Sequence, residues 1–213
     1  MQFRMCNLLF AVVLLSFGLG AHGKSLTIND HSGKPLQYVV VSVAASTTPA
    51  PEPAIMDQVE RRFDPKVLTV PVGTSVSFPN SDNIRHHVYS FSPTKPFEIK
   101  LYSGSTVEPV VFDKSGIVAL GCNIHDQMIG YIYVFENARA FITSENGTVD
   151  IPGNAESVTL WHPELDIVQS KRETVALDTS KTSETLTLTL NAAIPVEHEK
   201  KSRTFGSKKF GSE

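Results

Sequence analysis

The chain has 213 residues, of which 41% are hydrophobic and 19% are charged. This composition is typical of a globular protein and excludes a chain that is disordered throughout. The 19 Lys and Arg residues nearly balance the 22 Asp and Glu residues, which gives a formal net charge of −3. Because the sequence also lacks a stripe of basic side chains, nothing in it indicates a nucleic-acid partner.

Residues 1–23 are predicted to be a cleaved secretory signal peptide. Arg4 supplies a positive charge, residues 8–19 form an apolar run, and the small residues Ala21 and Gly23 precede the expected cleavage site. The run is shorter than the roughly 20 apolar residues that a membrane-spanning helix needs. We therefore expect an exported, periplasmic protein with no membrane span.

Beyond the signal peptide, the apolar residues recur at every second position in short runs separated by turn-forming residues. This pattern is rich in β-branched and aromatic side chains and predicts an all-β antiparallel sandwich or barrel with little helix. Only residues 55–63 have a spacing that would suit a helical turn or two. The predicted strands of the first two thirds contain residues 26–28, 39–43, 67–70, 76–78, 88–91, 110–112, 117–120 and 129–135.

The composition changes twice along the chain. Residues 24–54 are predicted to be N-terminal strands and a linker, because their Pro-rich end lacks the amide hydrogens that a paired sheet needs. After residue 136 the alternation restarts, and residues 137–194 are predicted to form a second small β unit. Since it is near the lower size limit for folding alone, we expect it to dock on the first domain or to take up the strand at 36–43. Residues 195–213 are polar and are predicted to be a disordered tail.

The chemically reactive side chains are concentrated in one short loop. Cys122, His125 and Met128 offer a thiolate, an imidazole and a thioether within seven residues. Once the signal peptide is removed, Cys122 is the only cysteine, so it cannot form an internal disulfide. Two histidines, a cysteine and a weak axial methionine are the ligands of blue-copper electron-transfer sites. The second histidine must come from elsewhere, and the candidates are His86 and His87, at the start of an apolar strand.

Each of these residues also has an ordinary structural interpretation. A cysteine at a strand end can be a core residue, a loop histidine is usually solvated, and methionine more often fills a core than binds a metal. Their joint occurrence at Cys-x2-His-x2-Met spacing favours copper over these separate interpretations. Zinc fits less well, because structural zinc sites prefer four Cys or His ligands.

Three segments resemble the cupredoxins, namely residues 72–80 (VGTSVSFPN), 86–88 (HHV) and 121–128 (GCNIHDQM). The short ligand loop is similar to that of amicyanin rather than to the longer loops of plastocyanin or azurin. The resemblance covers residues 55–136 and implies a Greek-key cupredoxin sandwich. The outer segments resemble the transthyretin-like or carboxypeptidase-regulatory β-sandwich, and the whole chain is similar to exported bacterial proteins of the methylamine-utilisation type.

Carried over position by position, the resemblance implies one type 1 copper ion per chain, held by His86, Cys122, His125 and Met128. His87 stands where amicyanin and plastocyanin have an asparagine, and it remains a competing ligand. Three polar side chains ahead of the site are candidates to hydrogen-bond a metal-bound imidazole: Asn80, Asp82 and Asn83.

The resemblance implies an electron carrier rather than an enzyme, because four protein ligands leave no evident open position for a substrate. Its partners would be redox proteins such as a dehydrogenase or a cytochrome, reached through the edge of His125 near Ile124 and Ile129. The alternative is a copper-trafficking or storage protein. Such a protein would favour several exposed methionine and histidine ligands, whereas this chain has four methionines, two of them in the signal peptide. Further along, Trp161 is predicted to anchor the second β unit on its neighbour, the alternative being an exposed contact.

Overall fold

The computed structural model describes residues 23–104 and 108–191. The predicted tail, and all but the last residue of the predicted signal peptide, lie outside the described residues. Within them the protein is all-β, with 17 strands and no helix, which confirms the predicted all-β fold class. Three strand pairs are parallel, whereas the sequence predicted antiparallel pairing. This part of the chain accordingly has no helix long and apolar enough to cross a membrane.

The strands are short and are numbered in chain order. They are β1 (Gly23–Asn29), β2 (Val40–Ala44), β3 (Ala54–Ile55), β4 (Asp57–Val59), β5 (Arg62–Asp64), β6 (Val67–Pro71), β7 (Thr74–Ser77), β8 (His86–Ser90), β9 (Phe97–Tyr102), β10 (Val110–Phe112), β11 (Gly116–Leu120), β12 (Gly130–Phe135), β13 (Ala138–Ile142), β14 (Thr148–Pro152), β15 (Ser157–Trp161), β16 (Glu173–Ala176) and β17 (Ser183–Thr187).

Two three-stranded sheets enclose the core that carries the candidate site. In one sheet β12 lies between β11 and β6, and in the other β7 lies between β10 and β3. Val118 and Ile132 from the first sheet share a core cluster with Val76 and Phe112 from the second. These side chains occupy every second position of their strands, which is why the sequence alternation marked the inward face. The antiparallel pairs β8–β9 and β4–β5 complete this part of the structure.

The N-terminal strands pair with strands from the end of the chain. β1 lies between β14 and β17, and β2 lies between β13 and β15, with β16 at the edge. Their inward residues form a second core, which includes Leu26, Val41, Leu160 and Leu186. The predicted domain boundaries stay a prediction, because strand pairing alone does not show which segments fold independently.

A third cluster of buried residues, rich in aromatic side chains, contains Trp161 and draws on strands from both parts of the structure. Trp161 is fully buried, with its ring 5.5 Å from that of Tyr131 and 6.0 Å from that of Tyr133. Its Nε1 donates a hydrogen bond to the carbonyl oxygen of Gln169 over 2.9 Å. These contacts exclude an exposed contact residue and show Trp161 packed against Tyr131 and Tyr133, while a second β unit that it would anchor stays a prediction.

The expected helical turn at residues 55–63 is wrong. Residues 57–64 instead form the β4–β5 hairpin, with Gln58 and Phe63 buried and paired across it. Its turn residues Glu60 and Arg61 have φ angles of 51° and 58°. Two consecutive positive φ angles are typical of the two-residue turns that match the twist of a hairpin. Neither turn residue is glycine or asparagine, so the usual sequence signal was missing.

Candidate metal centre

Two imidazoles and the thiol converge at one end of the first core. One ligand atom each from His86, Cys122 and His125 lies within 4.8 Å of the others. The Cys122 Sγ atom is 3.9 Å from Nδ1 of His86 and 3.8 Å from Nδ1 of His125. The two imidazole ring centres are 5.0 Å apart. His86 begins β8, whereas Cys122 and His125 lie in the loop between β11 and β12, so the site is built from two separate parts of the sequence.

The ligand loop is folded by its own backbone hydrogen bonds. The amide of His125 donates to the carbonyl oxygen of Cys122 over 3.4 Å, and the amide of Met128 donates to that of His125 over 2.9 Å. Met128 is 1% exposed and shares a core cluster with Cys122. The loop therefore folds back on itself, with Cys122 and Met128 buried and His125 only partly buried.

A backbone bridge fixes the distance between the two ligand-bearing segments. The amide of Tyr89 donates to the Gly121 carbonyl over 3.1 Å, and the amide of Gly121 donates to the Tyr89 carbonyl over 3.0 Å. A Cβ atom at Gly121 would lie 2.7 Å from Cζ and Oη of Tyr89, a distance that real contacts do not reach. Glycine before Cys122 thus leaves room for the Tyr89 ring, which belongs to the strand that begins at His86. Sequence reasoning missed this role, although the glycine beside the cysteine was visible.

Asp82 is the partner that orients His86. The Nε2 atom of His86 lies 2.6 Å from Oδ2 of Asp82, which leaves Nδ1 facing Cys122. Of the three polar residues that the sequence offered for this role, the structure selects Asp82. Asn80 holds the Asp82 segment, since its Nδ2 donates to the Ile84 and Tyr102 carbonyls and its Oδ1 accepts from the Asp82 amide.

The turn of the β4–β5 hairpin donates two hydrogen bonds to the Asp82 carboxylate. The amide of Glu60 donates to Oδ1 over 2.7 Å, and the amide of Arg61 donates to Oδ2 over 2.9 Å. Burial alone would raise the pKa of Asp82, but hydrogen bonds from the Arg61 amide, the His86 ring and the Glu60 amide outweigh it and lower the pKa below its ordinary value. The carboxylate therefore stays ionised and is a strong acceptor for the imidazole N–H.

His87 lies outside the convergent group. Its Nε2 atom is 2.8 Å from Oε1 of Glu98, and its ring centre is 5.6 Å from that of Tyr89. Its Nδ1 atom is buried and has no hydrogen-bond partner. The His87 ring therefore lies against Glu98 and Tyr89 and does not belong to the group formed by His86, Cys122 and His125.

The donor set fits copper. One sulfur and two imidazole nitrogens are the soft and intermediate donors that copper sites use, and His86 and Cys122 are almost fully buried. The described residues contain no fourth Cys, His, Asp or Glu in the convergent group, whereas a structural zinc site would need one. The fit therefore rests on the chemistry of the three donors, and Met128 as a fourth ligand stays a prediction.

Comparisons with known proteins found likenesses only among solved structures. No family model matches the chain, and no curated protein matches it. The Cu-containing nitrite reductase from Thermus scotoductus SA-01 is 32% identical over 41% of this chain, with a TM-score of 0.38, and the chain spans only 23% of that protein. A reduced mutant of amicyanin is 19% identical over 44% of this chain and 91% of its own, with a TM-score of 0.37. Both likenesses therefore cover less than half of this chain.

Proposed function

We propose that this protein is a cupredoxin-like electron carrier with one type 1 copper ion per chain. The observation that carries the proposal is the convergence of one ligand atom each from His86, Cys122 and His125 within 4.8 Å of one another. When bound, copper would supply a one-electron couple. His86, Cys122, His125 and Met128 would hold it.

The protein residues have distinct parts in this function. Asp82 accepts from Nε2 of His86 and so keeps the Nδ1 lone pair of the same ring free for the metal. Cys122 is 3% exposed, which keeps water away from the thiolate. His125 is less buried, and Ile124 and Ile129 nearby in sequence are 53% and 38% exposed. A small apolar surface of this kind suits a redox partner that must dissociate quickly.

Burial of the ligands favours a carrier over a trafficking or storage protein. A trafficking protein must transfer its metal, which requires ligands that a partner can reach and replace. Here His86 and Cys122 are 0% and 3% exposed, so release would require the loop to open. Export to the periplasm and a dehydrogenase-like or cytochrome-like partner complete the proposal, and the absence of enzyme activity belongs to it too.

Voltammetry combined with a copper-transfer assay tests this function. A carrier gives a reversible one-electron wave and retains its copper when a chelator of moderate affinity is added in either oxidation state. A trafficking protein would release its copper to the chelator within the time of mixing, and this result would contradict the proposal. Turnover of nitrite by the copper-loaded protein would also contradict it, because a carrier has no substrate.

A further inference from the structure

Three aromatic rings form a ladder along one face of β8 and the residue after it. His87, Tyr89 and Phe91 occupy alternate positions, and their rings lie next to one another in this order. The ring centres are 5.6 Å apart between His87 and Tyr89 and 5.1 Å apart between Tyr89 and Phe91. His87 is 7% exposed and Phe91 is 84% exposed. The ladder therefore leads from the interior to the protein surface.

The inner part of the ladder is joined to the candidate metal centre. Tyr89 shares two backbone hydrogen bonds with Gly121, the residue before Cys122. The Tyr89 ring also lies where a Gly121 side chain would be, since a Cβ atom there would be 2.7 Å from the ring. Only covalent bonds and one backbone hydrogen bond separate the Cys122 thiol from this ring.

The outer end of the ladder is not explained by folding. A phenylalanine that is 84% exposed contributes little to the core, and its ring packs against Tyr89 instead. Single exposed apolar residues are common, but this ring continues a stack that begins beside a metal ligand. Flat aromatic surfaces of this kind are enriched where proteins contact a partner.

We propose that the rings of Tyr89 and Phe91 form a second electron exit, separate from the edge of His125. This inference rests on the proposed electron-carrier function. Copper, when bound, would supply one electron, and the Tyr89 and Phe91 rings would carry it to a one-electron acceptor bound at Phe91, with no bond made or broken. The rings provide electronic coupling and are not themselves oxidised, so the Tyr89 hydroxyl is not required.

A tethered photo-oxidant tests this exit without a natural partner. A ruthenium bipyridine maleimide is attached at Pro93→Cys, an exposed position two residues from Phe91, while copper and burial protect Cys122. After oxidative quenching by hexaammineruthenium(III), the label takes one electron from the reduced protein, and flash photolysis gives the rate constant. The matched control carries the label at Arg62→Cys, whose side chain is 72% exposed and lines the groove beside His125.

We expect Tyr89→Leu and Phe91→Leu to slow electron transfer severalfold from the label at position 93, whereas Tyr89→Phe keeps the wild-type rate. With the label at position 62, all three variants should transfer electrons at the wild-type rate. The visible band and the reduction potential should be unchanged, which separates a lost route from a damaged site. Phe91→Leu keeps the test valid if Tyr89→Leu does not fold, because Phe91 lies outside the core.

Three results would overturn the proposal. Unchanged rates from position 93 in both leucine variants would show that the ladder carries no electrons. Equal slowing from both label positions would show that the variants changed the metal centre. A wild-type protein that binds no copper would overturn the electron-carrier function and this exit together, so the two failures are distinguishable.

Discussion

Replacement of Asp82 by alanine should weaken copper binding without changing any metal ligand. The carboxylate accepts three hydrogen bonds, from His86 Nε2 over 2.6 Å, the Glu60 amide over 2.7 Å and the Arg61 amide over 2.9 Å. Asp82→Ala removes all three, so the His86 ring loses its fixed orientation and the hairpin turn loses its anchor. The imidazole also becomes a less basic ligand.

The size of the effect follows from the position of Asp82 beside a ligand. Loss of such a partner typically reduces metal affinity by about 10–100-fold, which corresponds to about 1.4–2.8 kcal/mol. Asp82→Asn should cost less than Asp82→Ala. The amide oxygen of this variant can still accept hydrogen bonds from the His86 ring and the Arg61 amide. Its NH₂ group would then face the Glu60 amide, so only the hydrogen bond from Glu60 is lost. Both variants should raise the reduction potential, because a weaker donor destabilises Cu(II) more than Cu(I).

Chelator competition and voltammetry measure these two quantities. Asp113→Asn is the matched control, since it removes the same charge from a carboxylate that is 69% exposed and bonded to Lys95. Wild-type copper affinity in Asp82→Ala would refute the reasoning, because it would mean that the hairpin and Asp82 do not position His86. An equal effect in Asp113→Asn would attribute the change to net charge instead.

Three further predictions concern the ligands and the aromatic anchor. His86→Ala should lose copper in a titration, whereas His87→Ala should retain it with at most a shifted spectrum, because the His87 ring faces Glu98; the opposite result would exchange their roles. Met128→Leu should keep the copper but raise the potential measured by voltammetry, because an axial thioether stabilises Cu(II) more than Cu(I); an unchanged potential would remove Met128 from the ligand set. Trp161→Ala should lower the free energy of unfolding in urea by about 3–5 kcal/mol, and a loss below about 1 kcal/mol would show that the aromatic cluster contributes little to stability.

The strands were predictable because local alternation records which face of a sheet is buried. β12 shows the limit of this signal, since Tyr131 and Tyr133 face the aromatic cluster while Ile132 and Val134 face the first core. A strand buried on both faces has no polar alternation. The pairing of β1 with β17 depends on contacts across most of the chain, which no local pattern contains.

The candidate site was predictable where its chemistry is compressed into a short loop. Cys122, His125 and Met128 lie within seven residues, so their donor types could be read together. The support for His86 could not be read in the same way. Asp82 is held by the backbone amides of Glu60 and Arg61. Almost every residue has a backbone amide, so the residue types at these positions do not indicate the contact.

An absorption spectrum of the copper-loaded protein, recorded before and after a reductant, tests the central claim most directly. We expect an intense visible thiolate-to-copper band in the wild-type protein, loss of that band on reduction, and no band in Cys122→Ser. The donor of the band is the Cys122 sulfur, so the serine variant is its specific control. A wild-type protein that stays colourless with copper, or that binds zinc in preference to copper, would contradict the account.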